Sequence, residues 1–136
     1  MDKEAARDFV RQHHNGVLAT TRRDGSPQLS PISVGVDSQG RLIVSTREPS
    51  MKVRNLRRDP HYDLVVLADR FYGPWISARG TAEIVALPEA LPLLVDYYRL
   101  VAGEHPDWDD YRQAMVREQR VLLQLSLDRV GPNVSG

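Results

Sequence analysis

The segment Ser45-Thr46-Arg47-Glu48-Pro49-Ser50-Met51-Lys52-Val53-Arg54-Asn55-Leu56-Arg57-Arg58-Asp59-Pro60 gathers hydroxyls, an amide and cations in an order that suits binding of an anion. A helix is expected over Met51 to Arg58, stopped by Pro60. Its first turn carries Lys52 and Arg54, which face the positive end of the helix dipole at a cost of ~0.3–1 kcal/mol each. Other helix starts in the chain obey the dipole, with Asp2, Glu4, Glu89, Asp109 and Asp110 near them. A bound phosphate or carboxylate would reverse the penalty, held by free backbone N–H groups and Lys52. Val53 and Leu56 would bury one face and leave Lys52 and Asn55 on an adjacent stripe. Ser45 and Thr46, delivered by a preceding strand, could add neutral hydrogen bonds. Arg57 and Arg58 stand at the helix end, where the dipole alone justifies them, and no acid lies between Ser50 and Arg58. A solvated basic face explains the same charges equally well, because exposed charge effects are small.

Most other chemistries are excluded by what the chain lacks. It has 136 residues and no cysteine, which removes disulfides, thiolate nucleophiles and Cys-containing metal sites. His13, His14, His61 and His105 are scattered, without a metal-binding spacing. No Gly-x-Ser-x-Gly and no Gly-x-Gly-x-x-Gly occurs, which argues against a nucleophilic hydrolase and a Rossmann domain. Gly35 and Gly40 have P-loop spacing, but Arg41-Leu42 replaces the required Lys-Ser/Thr, so a hairpin turn accounts for them better. Asp107, Asp109 and Asp110 are expected to cap a helix and not to form a catalytic carboxylate pair. Lys plus Arg and Asp plus Glu both total 18, so the overall field is not that of a nucleic-acid binder. No apolar run reaches membrane-spanning length and Met1 to Asn15 does not read as a secretion signal, so a soluble, cytoplasmic protein is expected. The Asn133-Val134-Ser135 sequon is read as chance.

The elements that must position the basic segment follow from hydrophobic periodicity. An amphipathic helix capped by Asp2 is expected to end near Asn15-Gly16. Strands are expected over Val17 to Arg22, Gln28 to Val36 and Arg41 to Ser45, as two successive hairpins through Arg23-Asp24-Gly25-Ser26 and Asp37-Ser38-Gln39-Gly40. Tyr62 to Ala68 and Trp75 to Ala86 read as further strands, with Ile76, Ala78 and Gly80 on one face of the second. Helices are expected over Pro88 to Ala102, with Pro92 in the first turn, and from Asp107 through Arg120. Val121 to Leu127 alternates as a last strand. Length and a 41% hydrophobic fraction suit one domain over 1–136, mainly β with peripheral helices (α+β), as a six-stranded antiparallel barrel.

Gly16-Val17-Leu18-Ala19-Thr20, Asp24-Gly25-Ser26-Pro27-Gln28-Leu29-Ser30-Pro31, Ser45-Thr46 and Lys52 to Pro60 together resemble the pyridoxamine-phosphate-oxidase-like split β-barrel superfamily, whose fold is FMN-binding-like. The pattern is most similar to its actinobacterial branch that uses the deazaflavin coenzyme F420, and Ala102 to His105 with Trp108 to Arg112 extend the likeness over nearly the whole chain. The resemblance implies a homodimer with a cofactor groove at the interface. It implies that Gln28, Ser30 and Pro31 lie along the cofactor ring, and that Ser45, Thr46, Met51, Lys52, Arg54 and Asn55 hold its phosphate. Trp75 is similar to a ring-lining aromatic, though a strand-start anchor explains it equally well, and Ile76 is a lesser candidate. Arg129-Val130-Gly131-Pro132 lacks the aromatic often found before that glycine. Hydride transfer to a small, largely apolar substrate needs no protein nucleophile, because the cofactor supplies the chemistry. Two alternatives stand beside this reading: an FMN-binding oxidase of the same fold, and a carrier that binds the cofactor without turnover.

Overall fold

The computed structural model describes residues 1–132, so the Asn133-Val134-Ser135 sequon lies outside the described residues. The order is α1 (Lys3–Gln12), β1 (Asn15–Thr21), β2 (Pro27–Ser33), β3 (Gly35–Val36), β4 (Leu42–Arg47), α2 (Met51–Arg58), β5 (His61–Leu67), β6 (Trp75–Val85), α3 (Ala90–Ala102), α4 (Trp108–Arg117), β7 (Arg120–Leu125) and β8 (Arg129–Gly131). Asp2 caps α1 by accepting from the Ala5 N–H, and Asp107 caps α4 by accepting from the Asp110 N–H. Those acids are therefore helix starts, as their positions in the sequence suggest.

The strands pair antiparallel in the order β2-β1-β5-β6-β7-β4-β3, with β8 also on β6. The mainly β split-barrel architecture agrees with expectation, but two more strands are present than the six expected. One arises because the run Gln28 to Val36 breaks at Val34. Its first part stays with β1, while Gly35 and Val36 turn away to pair with Ile43 and Leu42 of β4. Val34 is fully buried at the break, and His14 fixes it, with the Val34 N–H donating to the His14 carbonyl at 2.8 Å. The other arises at the C-terminal end, where a bulge at Ser126–Asp128 lets β8 follow β7 along the same edge of β6. Residues expected to extend a helix through Arg120 instead leave it after Arg117, because Gln119 takes φ 54° and Arg120 opens β7.

Rolling of the sheet separates two apolar layers. Leu18, Val44, Leu64, Val66, Ile76, Leu123 and Leu125 fill the barrel, and α1 closes one end with Ala6 and Val10. Strand alternation sends Ile43 and Leu122 to the outside, where α3 and α4 cover them with Leu94, Val95, Tyr97, Tyr111 and Met115. Tyr97 also meets the gap opened at Val34. Its hydroxyl donates to the Ser33 carbonyl at 2.8 Å, giving an acceptor at the end of β2 a side-chain partner.

Two substitutions test this frame. A Cβ at Gly80 would stand 2.2 Å from the Ser126 carbonyl oxygen, which also accepts from the Tyr62 hydroxyl at 2.7 Å. Gly80→Ala is therefore expected to lower the unfolding free energy in urea by roughly 1–3 kcal/mol, and a stability equal to wild type would show a freely yielding bulge. Tyr97→Phe keeps the ring but strands the Ser33 carbonyl. A loss of about 1–3 kcal/mol is expected by the same measurement.

Candidate functional site

The turn Glu48–Ser50 carries the chain from β4 into α2. Ser50 sits at the cap position in an extended conformation but makes no side-chain bond to the first-turn amides, and no acid lies in that turn. Its hydroxyl lies instead 3.4 Å from the Thr46 hydroxyl. Unlike α1 and α4, α2 thus presents first-turn N–H groups with no side-chain acceptor, an arrangement suited to an anion.

Lys52 stands half-buried in this turn, with no hydrogen bond or ion pair among the described residues. Burial first, and the positive Arg120 second, hold its pKa below the ordinary lysine value. Arg120 lies on β7 directly across from Arg47 on β4. Two cations facing each other across a ladder repel, and a single carboxylate, Glu118, answers Arg120 at 2.8 and 2.9 Å. Arg47 and Arg54 are exposed and have no ion pair. The remaining cations of the segment have partners. Arg57 makes a forked pair with Glu48 at 2.7–3.0 Å, and Arg58 donates to the Thr21 carbonyl at 2.6 Å and to Asn55 Oδ1 at 3.1 Å. Positive charge is therefore left in excess at Arg47, Lys52, Arg54 and Arg120. Arg120, Arg47 and Tyr97 are additions to the residues picked from sequence, and Arg120 escaped because the helix was expected to run through it.

The other expected site residues divide by the face they occupy. Asn55 is 0% exposed, with Nδ2 donating to the Thr20 hydroxyl at 3.1 Å. That amide pins α2 to β1 and has no surface toward an outside anion. Thr46 and Ser30 also turn inward and are buried, while Ser45 faces α3 and is half-buried. Ile76 is 1% exposed within the barrel core, so only its backbone could meet a ligand. Gln28 is half-buried on the same face of β2 as Ser30, accepting from Arg22 Nε at 3.2 Å; Pro31 is exposed on the opposite face, across from Val17. Met51 is 49% exposed at the first position of α2. Between β2 and the end of β4 lies an open seam, because neither the outer edge of β2 nor, beyond Ile43, the edge of β4 away from β7 has a strand partner among the described residues.

Trp75 is not brought to this place within one chain. It pairs with Leu67 at the end of the sheet that β1 reaches at Asn15, whereas α2 is pinned at Thr20, five residues or roughly 17 Å away. The sheet turns an apolar groove of about 740 Å³ outward, lined by Val17, Ala19, Leu29, Val65, Leu67 and Phe71, and Trp75 lines a smaller groove that shares Val65, Leu67 and Phe71 with it. Leu29, Phe71 and Tyr72 are 62%, 69% and 92% exposed.

No proton donor stands out. The Tyr97 and Tyr111 hydroxyls donate to the Ser33 and Leu94 carbonyls, and burial raises both phenols, Tyr111 to about 12. Among the described residues, no group of three or more His, Cys, Asp or Glu could hold a metal ion, and no helix is long and apolar enough to cross a membrane. The arrangement offers an anion seat, an open strand edge and an apolar sheet face. It can bind and orient a charged cofactor, but it carries no nucleophile of its own.

Solved structures of this shape bind different molecules. The chain is similar to a conserved hypothetical protein of Mycobacterium tuberculosis at 28% identity and TM-score 0.78, covering 100% of this chain and 92% of the other. An F420 reductase matches at 21% identity and TM-score 0.71, over 91% of this chain and 94% of that one. The heme storage protein HutZ of Vibrio cholerae matches at 15% identity and TM-score 0.68, over 96% and 94%. The last two share the fold. Over residues 2–132, nearly the whole sequence, the chain matches the family described as pyridoxamine 5'-phosphate oxidase, and it belongs to that family.

Proposed function

We propose that the protein is an oxidoreductase that binds the deazaflavin coenzyme F420 and passes a hydride to a small, largely apolar organic substrate. The observation that carries this reading is Lys52, half-buried and unpaired beside the uncapped start of α2 and next to the open seam between β2 and β4. Support also comes from the basic motif Lys52 to Pro60 and from an F420 reductase among the structures of the same fold. When bound, such a cofactor supplies the hydride chemistry. The residues of the chain bind and orient. Lys52 and the α2 amides hold the phosphate, with Ser45 and Arg54 beside them. Asn55 acts from within by fixing α2 on β1, and Gln28 and Ser30 set the strand along which the ring lies. Arg47 and Arg120 add positive charge for further negative groups of the same ligand.

We also propose that two copies pair through the outer sheet face. Support comes from the exposed Leu29, Phe71 and Tyr72 around an apolar groove, more than a solitary surface residue requires. A two-fold pairing buries the same patch on both copies and can set Trp75 of one against the Lys52 end of the other, which a single chain does not do. FMN is the second reading. The family match favours it, and Lys52 would accept its phosphate as well.

Lys52→Ala is expected to weaken deazaflavin binding by about 1.5–3 kcal/mol, or roughly ten- to a hundredfold, while the protein stays folded. Fluorescence titration checks this, and unchanged affinity removes the central claim; clearly tighter FMN binding in the same titration reverses the choice of cofactor. Because the native pKa of Lys52 lies below 10.5, cofactor affinity should fall as pH rises through that depressed value. Over the same window the ligand-free protein should gain stability, since the unfolded chain holds more protons there. Lys52→Gln should flatten both profiles. Leu29→Glu should shift sedimentation from dimer to monomer and weaken the cofactor, whereas a monomeric wild type overturns the pairing.

A further inference from the structure

A second groove, of about 590 Å³, lies away from the seam between α3 and the β3–β4 hairpin. Its floor is apolar, formed by Val36, Ile43, Leu93, Leu100 and Leu122. In the middle of that floor stands Gln124, which alternation on β7 sends to the outer face opposite Ile43. It is only 9% exposed. Arg41 Nη1 donates to Gln124 Oε1 at 3.3 Å. A guanidinium can only donate, so this bond fixes the amide with its oxygen toward Arg41 and its nitrogen free. Gln124 Nε2 has no acceptor among the described residues and is left to the groove.

The donors are held rigidly. Asp37 accepts from the Gln39 and Arg41 N–H groups and from Arg41 Nε, each at 2.9 Å, which locks the hairpin and the guanidinium together. Arg41 keeps unused N–H groups beside the Gln124 amide. The Arg41 guanidinium and the Gln124 amide thus stand within hydrogen-bond distance of each other in the groove lining, and both keep donors with no acceptor among the described residues.

Charge decides the class of ligand. Arg41 is matched by Asp37, Arg11 by Glu4 and Asp8, and Arg99 by Glu104. Asp96, on the α3 wall, has no cation partner. A carboxylate ligand would meet Asp37 and Asp96, whereas an amine would set its own donors against those of Gln124 and Arg41. We propose that this groove binds an uncharged amphipathic carbonyl compound, an amide, ketone or ester, whose oxygen accepts from Gln124 and Arg41 and whose apolar body lies on Leu93, Leu100 and Val36. The volume is in the range of small-molecule pockets, roughly 300–1,000 Å³. The site does not depend on the cofactor reading.

Three six-carbon probes of matched length test the proposal on the full chain: hexanamide, hexanoate and hexylamine, titrated at millimolar concentration. The readout is a ¹H–¹⁵N spectrum, through the backbone amides of Gln39, Leu93 and Leu100 in every variant and the Gln124 side-chain amide pair wherever Gln124 is kept. Hexanamide is expected to shift these signals saturably and to bind more tightly than either charged probe. Gln124→Leu should weaken hexanamide by roughly tenfold. Should that variant fail to fold, Leu100→Glu, at a position already 47% exposed, should weaken hexanamide equally without touching the core. Saturable shifts with hexanamide that both Leu100→Glu and a folded Gln124→Leu leave unchanged would overturn the proposal. So would tighter binding of hexanoate or hexylamine, or no saturable shift with any probe.

Discussion

The parting of the chain at Val34 is the constraint on which the rest of the molecule depends. A continuous strand from Gln28 to Val36 would have closed the barrel and satisfied every edge. Instead β2 remains with β1 and β3 crosses to β4, so two strand edges face each other unpaired. His14 holds the break from one side by bonding Val34, and Tyr97 from the other by bonding the Ser33 carbonyl. The seam next to α2 exists because these polar groups find side-chain partners at the break but not along the rest of the edge.

Electrostatics gives that seam its direction. The chain has no net charge, and several of its cations are answered by a carboxylate, Arg57 by Glu48 and Arg79 by Asp63. Lys52, Arg47 and Arg54 are exceptions, with Arg120 answered only by Glu118. Repulsion within this group and the desolvation of Lys52 disfavour it in the empty protein. An anion removes both penalties at once, which is why an unpaired lysine at a helix start is more informative than the total charge.

The basic segment was legible because its chemistry is local. The dipole argument needs only the boundaries of α2, and Met51 to Arg58 is the helix observed. The caps Asp2 and Asp107 were readable for the same reason. Asn55 was harder. Helical spacing set it near Lys52, but whether it faces solvent depends on Thr20, which belongs to a strand distant in sequence. Ile76 and Pro31 show the same limit, because alternation assigns residues to faces without saying which face the barrel encloses. Arg120 was hidden by a misplaced helix end, where the positive φ at Gln119 cut α4 short.

Composition, turn residues and periodicity therefore determined the kinds of element, the mainly β class and the presence of an uncompensated basic helix start. These are properties of neighbours along the chain, and short-range sterics and dipoles decide them. Tertiary structure alone decided where the ladder parts, which cations keep company with Lys52, and that Trp75 lies at the far end of the sheet from it. Each of these depends on which strand edges pair. That choice is made by burial and backbone hydrogen bonding over the whole barrel, and no local pattern encodes it.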